Sequence, residues 1–173
     1  MKQYDVEHLK NYIIDIPIKL CDKSSKNMKM IKCNIKFPQS YFDDLIFLCE
    51  QYGTQIKFET NSWCSYRYND PYYNGIILGC EENKMFSSYD VCRSFCHELS
   101  HHIQYLCLKK YGHTQSRRFR EQLRYEIVAE RLAYFVYKKH FTHLCPNLTH
   151  RNFNGYRKKS AREFLKKYLM HNK

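Results

Sequence analysis

Two long helical patterns in the second half of the 173-residue chain restrict what it can fold into. The first is predicted over about 89–111, and Ser87 and Asp90 resemble a capping box at its start. The second is predicted over about 116–140, which is rich in Glu, Leu, Arg and Ala, residues that favour helices. Gly112 and its neighbours form a short break between them. Because so short a connection leaves two helices side by side, an antiparallel helical hairpin is predicted.

The first half of the chain has shorter elements. A helix is predicted over 40–52, where apolar residues recur at helical spacing and Gly53 follows as a stop signal. The segment 72–80 has a short apolar centre between Gly75 and Gly79, which favours a strand near a sheet edge. Alternation of apolar and polar residues predicts further strands over 30–37, 54–60 and 63–69.

This order of elements predicts an α+β fold with a single domain, 1–173. A small sheet with one helix comes first, the helical hairpin follows, and a short basic helix is predicted over 160–170. Residues 146–173 are interpreted as a basic C-terminal extension of that domain.

The sequence HELSH, residues 97–101, lies on the first long helix. His97 and His101 are four residues apart, so they share one face of the helix and both imidazoles can reach one ion. Glu98 lies beside them, where its carboxylate can take a proton from a bound water. Zinc lowers the pKa of such a water to roughly 7. The motif therefore predicts a catalytic zinc, which needs a third protein ligand.

Helix registry supplies a candidate for that ligand. His101 lies about ten residues, or ~15 Å, before the end of the first predicted helix, and Glu126 lies about ten residues after the start of the second. An antiparallel hairpin brings the two level, and by the same count it brings Glu130 level with His97. Surface ion pairs with nearby Arg or Lys would also explain the two acids. Their many apolar neighbours in YEIVAERLAYF, residues 125–135, favour burial beside a metal instead.

HELSH followed by EIVAE, residues 126–130, resembles the gluzincin metallopeptidases, whose pattern is H-E-x-x-H with a later E-x-x-A-[DE]. In length, order and helix-to-helix spacing the chain is most similar to the small ImmA/IrrE-type members. The resemblance implies a zincin-like domain with one zinc ion per chain. It also implies roles for five residues: His97, His101 and Glu126 as zinc ligands, Glu98 as the general base, and Glu130 as the acid that orients His97.

In such enzymes a strand antiparallel to the substrate borders the cleft, and the predicted strand before the first long helix is the candidate. An extended peptide would pair with the free edge of this strand. The substrate-binding residues would then be Gly75, Ile76, Ile77, Leu78 and Gly79. The mechanism also requires an oxyanion-stabilising His or Tyr, but 16 tyrosines and nine histidines leave the choice open.

These motifs predict zinc-dependent hydrolysis of peptide bonds in a protein or peptide substrate. The alternative is a non-catalytic module that binds nucleic acid or protein, with a structural zinc or no metal. Cys92 and Cys96 could join the histidines in a structural site, but Cys96 and His101 are roughly 140° apart around the helix, which favours core thiols. A second candidate cluster has irregular spacing: His140, His143, Cys145 and His150.

Charge is distributed unevenly along the chain. Residues 1–108 contain 12 Lys+Arg and 13 Asp+Glu, whereas residues 109–173 contain 17 and 4. The basic half could position a nucleic acid or an acidic partner, or its charges could be solvated helix faces. No apolar run approaches the ~20 residues needed to span a membrane, and the N-terminal segment does not resemble a secretory signal. With nine cysteines and no C-x-x-C pair, a cytoplasmic protein with reduced thiols is expected.

Overall fold

A computed structural model describes residues 6–14, 39–60, 64–68, 71–80, 88–110, 119–142 and 147–153. Within these ranges lie the helices α1 (Val6–Lys10), α2 (Gln39–Gln51), α3 (Ser88–Lys110) and α4 (Phe119–His140). The strands are β1 (Ile56–Thr60), β2 (Ser65–Arg67) and β3 (Gly75–Cys80), and a 3₁₀ helix spans His150–Phe153. The mixed α+β class is therefore confirmed. The strand predicted over 30–37 and the basic helix predicted over 160–170 lie outside the described residues.

The long helices α3 and α4 pack along each other in opposite directions. Gln104 of α3 contacts Tyr125 of α4, whereas Arg93, nearer the start of α3, contacts Glu130. Fully buried side chains of both helices belong to one hydrophobic core: Leu99 and Ile103 from α3, and Leu132, Ala133 and Val136 from α4. Burying each of the larger ones stabilises the fold by about 1.5–3 kcal/mol. The hairpin is therefore a rigid support for polar side chains that lie on its facing surfaces.

Charges at the helix ends suit the dipoles of the two long helices. Asp90 lies in the first turn of α3, and the last turn of α4 contains Lys138, Lys139 and His140. Acids near an N-terminus and bases near a C-terminus each stabilise a helix by about 0.3–1 kcal/mol. None of the described helices is long and apolar enough to cross a membrane.

The strands form a sheet with the order β1–β3–β2. β1 pairs with β3 in parallel, starting with Ile56 opposite Ile76, and β2 pairs with β3 in the antiparallel sense, with Tyr66 opposite Ile76. Helix α3 contacts both β2 and β3, so the sheet lies against the hairpin. β3 is the central strand, and the prediction that 72–80 forms an edge strand is wrong.

Two features of β3 explain its central position. Three successive side chains, Ile76, Ile77 and Leu78, are buried, so both faces of the strand are covered. Gly75, with φ +155°, lies where the chain entering β1 comes closest, because a Cβ at this position would be 2.5 Å from the carbonyl oxygen of Gln55. The glycine therefore permits two backbones to approach closely and does not mark an edge.

Candidate metal centre

Helices α3 and α4 bring the three predicted metal ligands to one point. Nε2 of His97 lies 3.1 Å from Nε2 of His101. Oε2 of Glu126 lies 3.1 Å from Nε2 of His97 and 3.2 Å from Nε2 of His101. The four-residue spacing on α3 puts the two imidazoles on one face, and the antiparallel register of α4 places the carboxylate opposite them. The three atoms form a group that could hold a metal ion.

The size of this triangle fits a tetrahedral zinc ion. Nitrogen and oxygen ligands lie about 2.0–2.1 Å from zinc, so two of them at a tetrahedral ion are roughly 3.3–3.4 Å apart. The observed edges of 3.1 and 3.2 Å are close to that spacing. Hydrogen bonds alone explain the triangle less well, because each ring nitrogen has at most one hydrogen and that hydrogen points in one direction. A cation at the centre satisfies all three ligand atoms at once.

The other ring nitrogen of His97 faces a carboxylate. Nδ1 of His97 lies 3.3 Å from Oε1 of Glu130, and Nη2 of Arg93 lies 3.2 Å from the same oxygen. Arg93 also donates from Nε to the carbonyl oxygen of Asn152, at 2.8 Å. This chain of contacts links the 3₁₀ helix to the candidate ligand through α4. Such outer contacts orient a metal-binding imidazole and raise its basicity.

His101 is oriented by an amide. Gln104 donates from Nε2 to the carbonyl oxygen of Tyr125, at 2.9 Å, so its Oε1 is free to accept from Nδ1 of His101, also at 2.9 Å. Nδ1 therefore has a hydrogen, and in the neutral ring Nε2 can present its lone pair to a metal. The ring of Tyr125 stacks on that of His101 with centroids 5.1 Å apart, which holds the imidazole from its flat side.

Electrostatics at the cluster favour a positive charge. Burial opposes a charged His97, but a hydrogen bond with Glu126 and the nearby carboxylates of Glu130 and Glu98 outweigh burial and raise the pKa of His97 to about 10. Burial also raises the pKa of Glu126, but hydrogen bonds from His101 and His97 prevail and hold that pKa well below its usual range. The two acids thus stabilise a cation between them and the imidazoles, either a proton or a metal ion.

Glu98, the predicted general base, is buried beside the cluster and only 6% exposed. Burial raises the pKa of Glu98, whereas the positive charges of His101 and His97 and a hydrogen bond from the backbone of Tyr66 lower it; the net shift is upward. A carboxylate with a raised pKa holds a proton more readily than one in water. This property suits a group that must accept a proton and release it again.

A cavity of about 240 Å³ opens beside the cluster. Its helical wall consists of His97, Glu98, His101, Tyr125 and Glu126. Its strand wall consists of Cys64, Ser65, Tyr66 and Tyr68, from β2 and the residues on either side of it. The strand that borders the cavity is therefore β2.

The strand predicted to bind substrate, β3, does not border the cavity. None of the residues Gly75, Ile76, Ile77, Leu78 and Gly79 lines the cavity. β3 is paired with β1 on one side and β2 on the other, and the Cys64 thiol donates to the carbonyl oxygen of Gly79 with Sγ and oxygen 3.6 Å apart. β2 covers the edge of β3 at residues 75–77, and β2 rather than β3 borders the cavity.

The remaining candidates have structural partners. Cys92 and Cys96 are buried free thiols, as the helix geometry predicts. His140 is also buried, and its Nε2 lies 3.0 Å from the hydroxyl of Tyr52. His150 lies against the ring of Tyr134, whereas positions 143 and 145 lie outside the described residues.

Sequence reasoning did not identify Arg93 and Gln104. Arg93 precedes His97 by four residues and Gln104 follows His101 by three, so each shares the face of the histidine that it supports. That spacing could have indicated both residues, but only the contacts across to α4 show what they do.

Comparisons with models of protein families, with curated proteins and with solved structures find no match to this chain. The similarity to gluzincins thus stays a prediction from HELSH and the acids at positions 126 and 130. The function is therefore argued below from the sequence motif and the geometry of the cluster.

Proposed function

We propose that this chain is a zinc-dependent metallopeptidase with a zincin-like domain of the gluzincin type. His97, His101 and Glu126 would hold one zinc ion per chain, and Glu98 would be the general base. The observation that supports this proposal best is the triangle of ligand atoms 3.1–3.2 Å apart beside a buried carboxylate and an open cavity.

The chemistry that zinc supplies when bound is to lower the pKa of a coordinated water to roughly 7 and to polarise a carbonyl group. Glu98 takes a proton from the water while the water's oxygen forms a bond to the carbonyl carbon of the peptide. The C–N bond then breaks, and Glu98 passes that proton to the leaving nitrogen. The products are a carboxylic acid and an amine. Glu98 ends as it began, which is required of a catalyst.

Peptide substrate would lie along β2. In the part of the chain that the structure describes, β2 pairs with β3 alone and forms one edge of the sheet. Cys64, Ser65, Tyr66 and Tyr68 line the cavity opposite the cluster, so an extended peptide beside them would pass between the strand wall and His97. An extended peptide would thus pair with the edge of β2, in the way that the sequence predicted for β3.

The experiment that tests this function compares Glu98→Gln with wild type. Glu98→Gln should keep about one zinc per chain and the wild-type melting temperature, but lose casein cleavage by roughly 10²–10⁴-fold. Glu50→Gln, an exposed acid on α2, is the matched control and should retain activity. Absence of bound zinc in wild type, or full cleavage by Glu98→Gln, would exclude the proposed function.

A second candidate function, binding of nucleic acid, rests on the outer face of α4. Arg124, Arg131 and Lys138 are exposed and recur every seven residues, so they lie in a row about 21 Å long. None of the three has an ion-pair partner among the described residues. The row is turned about 120° away from Glu126 and Glu130, so a polyanion bound there leaves the cavity open.

Salt dependence of DNA binding tests this candidate. If the row contacts phosphates, Arg131→Gln should reduce the slope of log K against log salt by about 0.9 for a short duplex. Arg151→Gln, an exposed arginine on the 3₁₀ helix, is the control and should leave the slope unchanged. Equal slopes for the three proteins would show that α4 does not bind DNA.

A further inference from the structure

Among the described residues three tyrosines line the cavity, and they differ in what their hydroxyl groups already bind. Tyr66 and Tyr68 lie on the strand wall, and Tyr125 lies on the helical wall. In peptide hydrolysis the carbonyl oxygen gains negative charge as water adds to its carbon, and a hydrogen-bond donor aimed at that oxygen speeds the reaction. A tyrosine can be this donor only if its hydrogen is not committed elsewhere.

The hydroxyl of Tyr66 is committed to His102. It lies 2.9 Å from Nδ1 of His102, while Nε2 of the same ring lies 2.8 Å from the carbonyl oxygen of Tyr52. Because a carbonyl oxygen only accepts, Nε2 has the hydrogen of the neutral ring and Nδ1 has the lone pair. The hydroxyl hydrogen of Tyr66 therefore points at Nδ1 and away from the cavity.

The hydroxyl of Tyr125 is also committed. It donates to the carbonyl oxygen of His101, with the two oxygens 3.3 Å apart. The ring lies flat on the imidazole of His101, with an angle of 17° between the planes. Turning the hydroxyl to a substrate would break both contacts with a candidate metal ligand.

Tyr68 is different. Its ring is held by aromatic contacts, with centroids 4.6 Å from Tyr105 and 6.4 Å from Tyr66. Its hydroxyl has no hydrogen-bond partner in the part of the chain that the structure describes. The ring is thus fixed at the cavity wall while the hydrogen of the hydroxyl remains available.

We infer that Tyr68 donates a hydrogen bond to the carbonyl oxygen of the peptide bond being cleaved. The inference rests on the proposed peptidase function and assigns a further catalytic residue to it. As the water's oxygen bonds to the carbonyl carbon and Glu98 holds the proton, the O–H of Tyr68 stabilises the charge on the carbonyl oxygen. When the C–N bond breaks, the carbonyl forms again, the nitrogen takes the proton from Glu98, and Tyr68 has kept its own proton throughout.

Tyr68→Phe tests the inference, since it removes one oxygen and keeps the stacked ring. We expect its kcat on casein to fall by roughly 10²-fold, with KM, zinc content and melting temperature close to wild type. Tyr72→Phe, at a tyrosine that is 93% exposed and does not line the cavity, is the control and should keep kcat within about threefold of wild type.

Inhibitor binding gives a readout that does not depend on turnover. A phosphinic peptide has charged oxygens on a tetrahedral phosphorus, where the carbonyl oxygen would gain charge. Tyr68→Phe should bind this probe at least about tenfold more weakly than wild type, and should bind the cleaved peptide products equally well.

The outcomes separate the inference from the function on which it rests. Wild-type kcat and wild-type probe affinity in Tyr68→Phe would overturn the inference and leave the peptidase function standing. A wild-type protein that holds zinc but neither cleaves casein nor binds the phosphinic peptide would overturn both.

Discussion

The two walls of the cavity are built on different physical principles. On the helical wall, the two candidate histidine ligands lie against polar groups: His97 against Glu130, and His101 against Gln104. On the strand wall, the ring of Tyr68 stacks on that of Tyr66 and packs against that of Tyr105, although the hydroxyl of Tyr66 is bound to His102. Hydrogen bonds set both the direction and the protonation of an imidazole, whereas stacking fixes a ring and leaves its hydroxyl available. In the proposed function, the helical wall would hold the metal and the strand wall would hold the substrate.

The largest expected effect comes from breaking the helical wall at a ligand. Glu126→Gln removes the charge opposite His97 and His101 while it keeps the size of the side chain. Zinc affinity should fall by more than the ~100-fold that loss of an outer contact can cost, because one of three ligands is weakened directly. Competition with a chromophoric chelator measures this loss.

Glu50→Gln should bind zinc as wild type does, because Glu50 is exposed and lies outside the cavity. Zinc binding by Glu126→Gln at wild-type strength would show that the cluster is a hydrogen-bond network only. The assignment of the helical wall to a metal would then be wrong.

The next largest effect on zinc affinity is expected from Glu130 and Gln104, which contact the two histidines of the same wall. Glu130→Gln keeps an oxygen near Nδ1 of His97 but loses the charge that Arg93 and His97 share. Zinc affinity should fall by about 10–100-fold. Gln104→Ala removes the neutral partner of His101 and should cost less, since an amide polarises an imidazole less strongly than a carboxylate.

The order of these two variants is the result that matters. If Gln104→Ala costs more zinc affinity than Glu130→Gln, His101 depends on its support more than His97 does. The stacked ring of Tyr125 would then be insufficient to hold His101 in place.

Sequence reasoning could predict the helical wall because its features are local. Spacing of four residues fixes which side chains share a helix face, and a short break between two helices fixes their registry. These rules placed Glu126 near His101 and Glu130 near His97, and the structure has both proximities. The roles of these residues in binding zinc and in catalysis stay predictions.

The strand wall could not be predicted in the same way, because sheet order depends on pairing between distant segments. Gly75 permits the close approach of β1, a contact that no local pattern near the glycine reveals. Tyr68 is distinguished from other tyrosines only by what its neighbours bind. Which hydroxyl remains available is a property of the assembled cavity and of no short motif.

A smaller effect is the pH dependence of zinc binding to the helical wall. Because Glu126 and Glu130 raise the pKa of His97 to about 10, the imidazole binds a proton at neutral pH when no metal is bound. Zinc and this proton exclude each other, so zinc affinity should rise by roughly tenfold per pH unit from about pH 6 to about pH 8. Calorimetry in buffers of different ionisation enthalpy measures the proton released.

The Glu130→Gln variant sharpens this prediction. Loss of one of the two acids lowers the pKa of His97 towards its ordinary value, so fewer protons are displaced and the slope should become shallower. A slope that is the same in both proteins would place the displaced proton on another group.

The smallest expected effect on zinc comes from the strand wall. Tyr66→Phe leaves the buried Nδ1 of His102 without its donor, and an unsatisfied buried acceptor costs about 1–3 kcal/mol of unfolding free energy. Zinc affinity should nevertheless stay within about threefold of wild type, since Tyr66 contacts none of the three ligand atoms through its hydroxyl. Urea unfolding and chelator competition on the same variant measure the two quantities. A loss of zinc affinity as large as the loss of stability would mean that the two walls act as one unit, and the division between metal and substrate would fail.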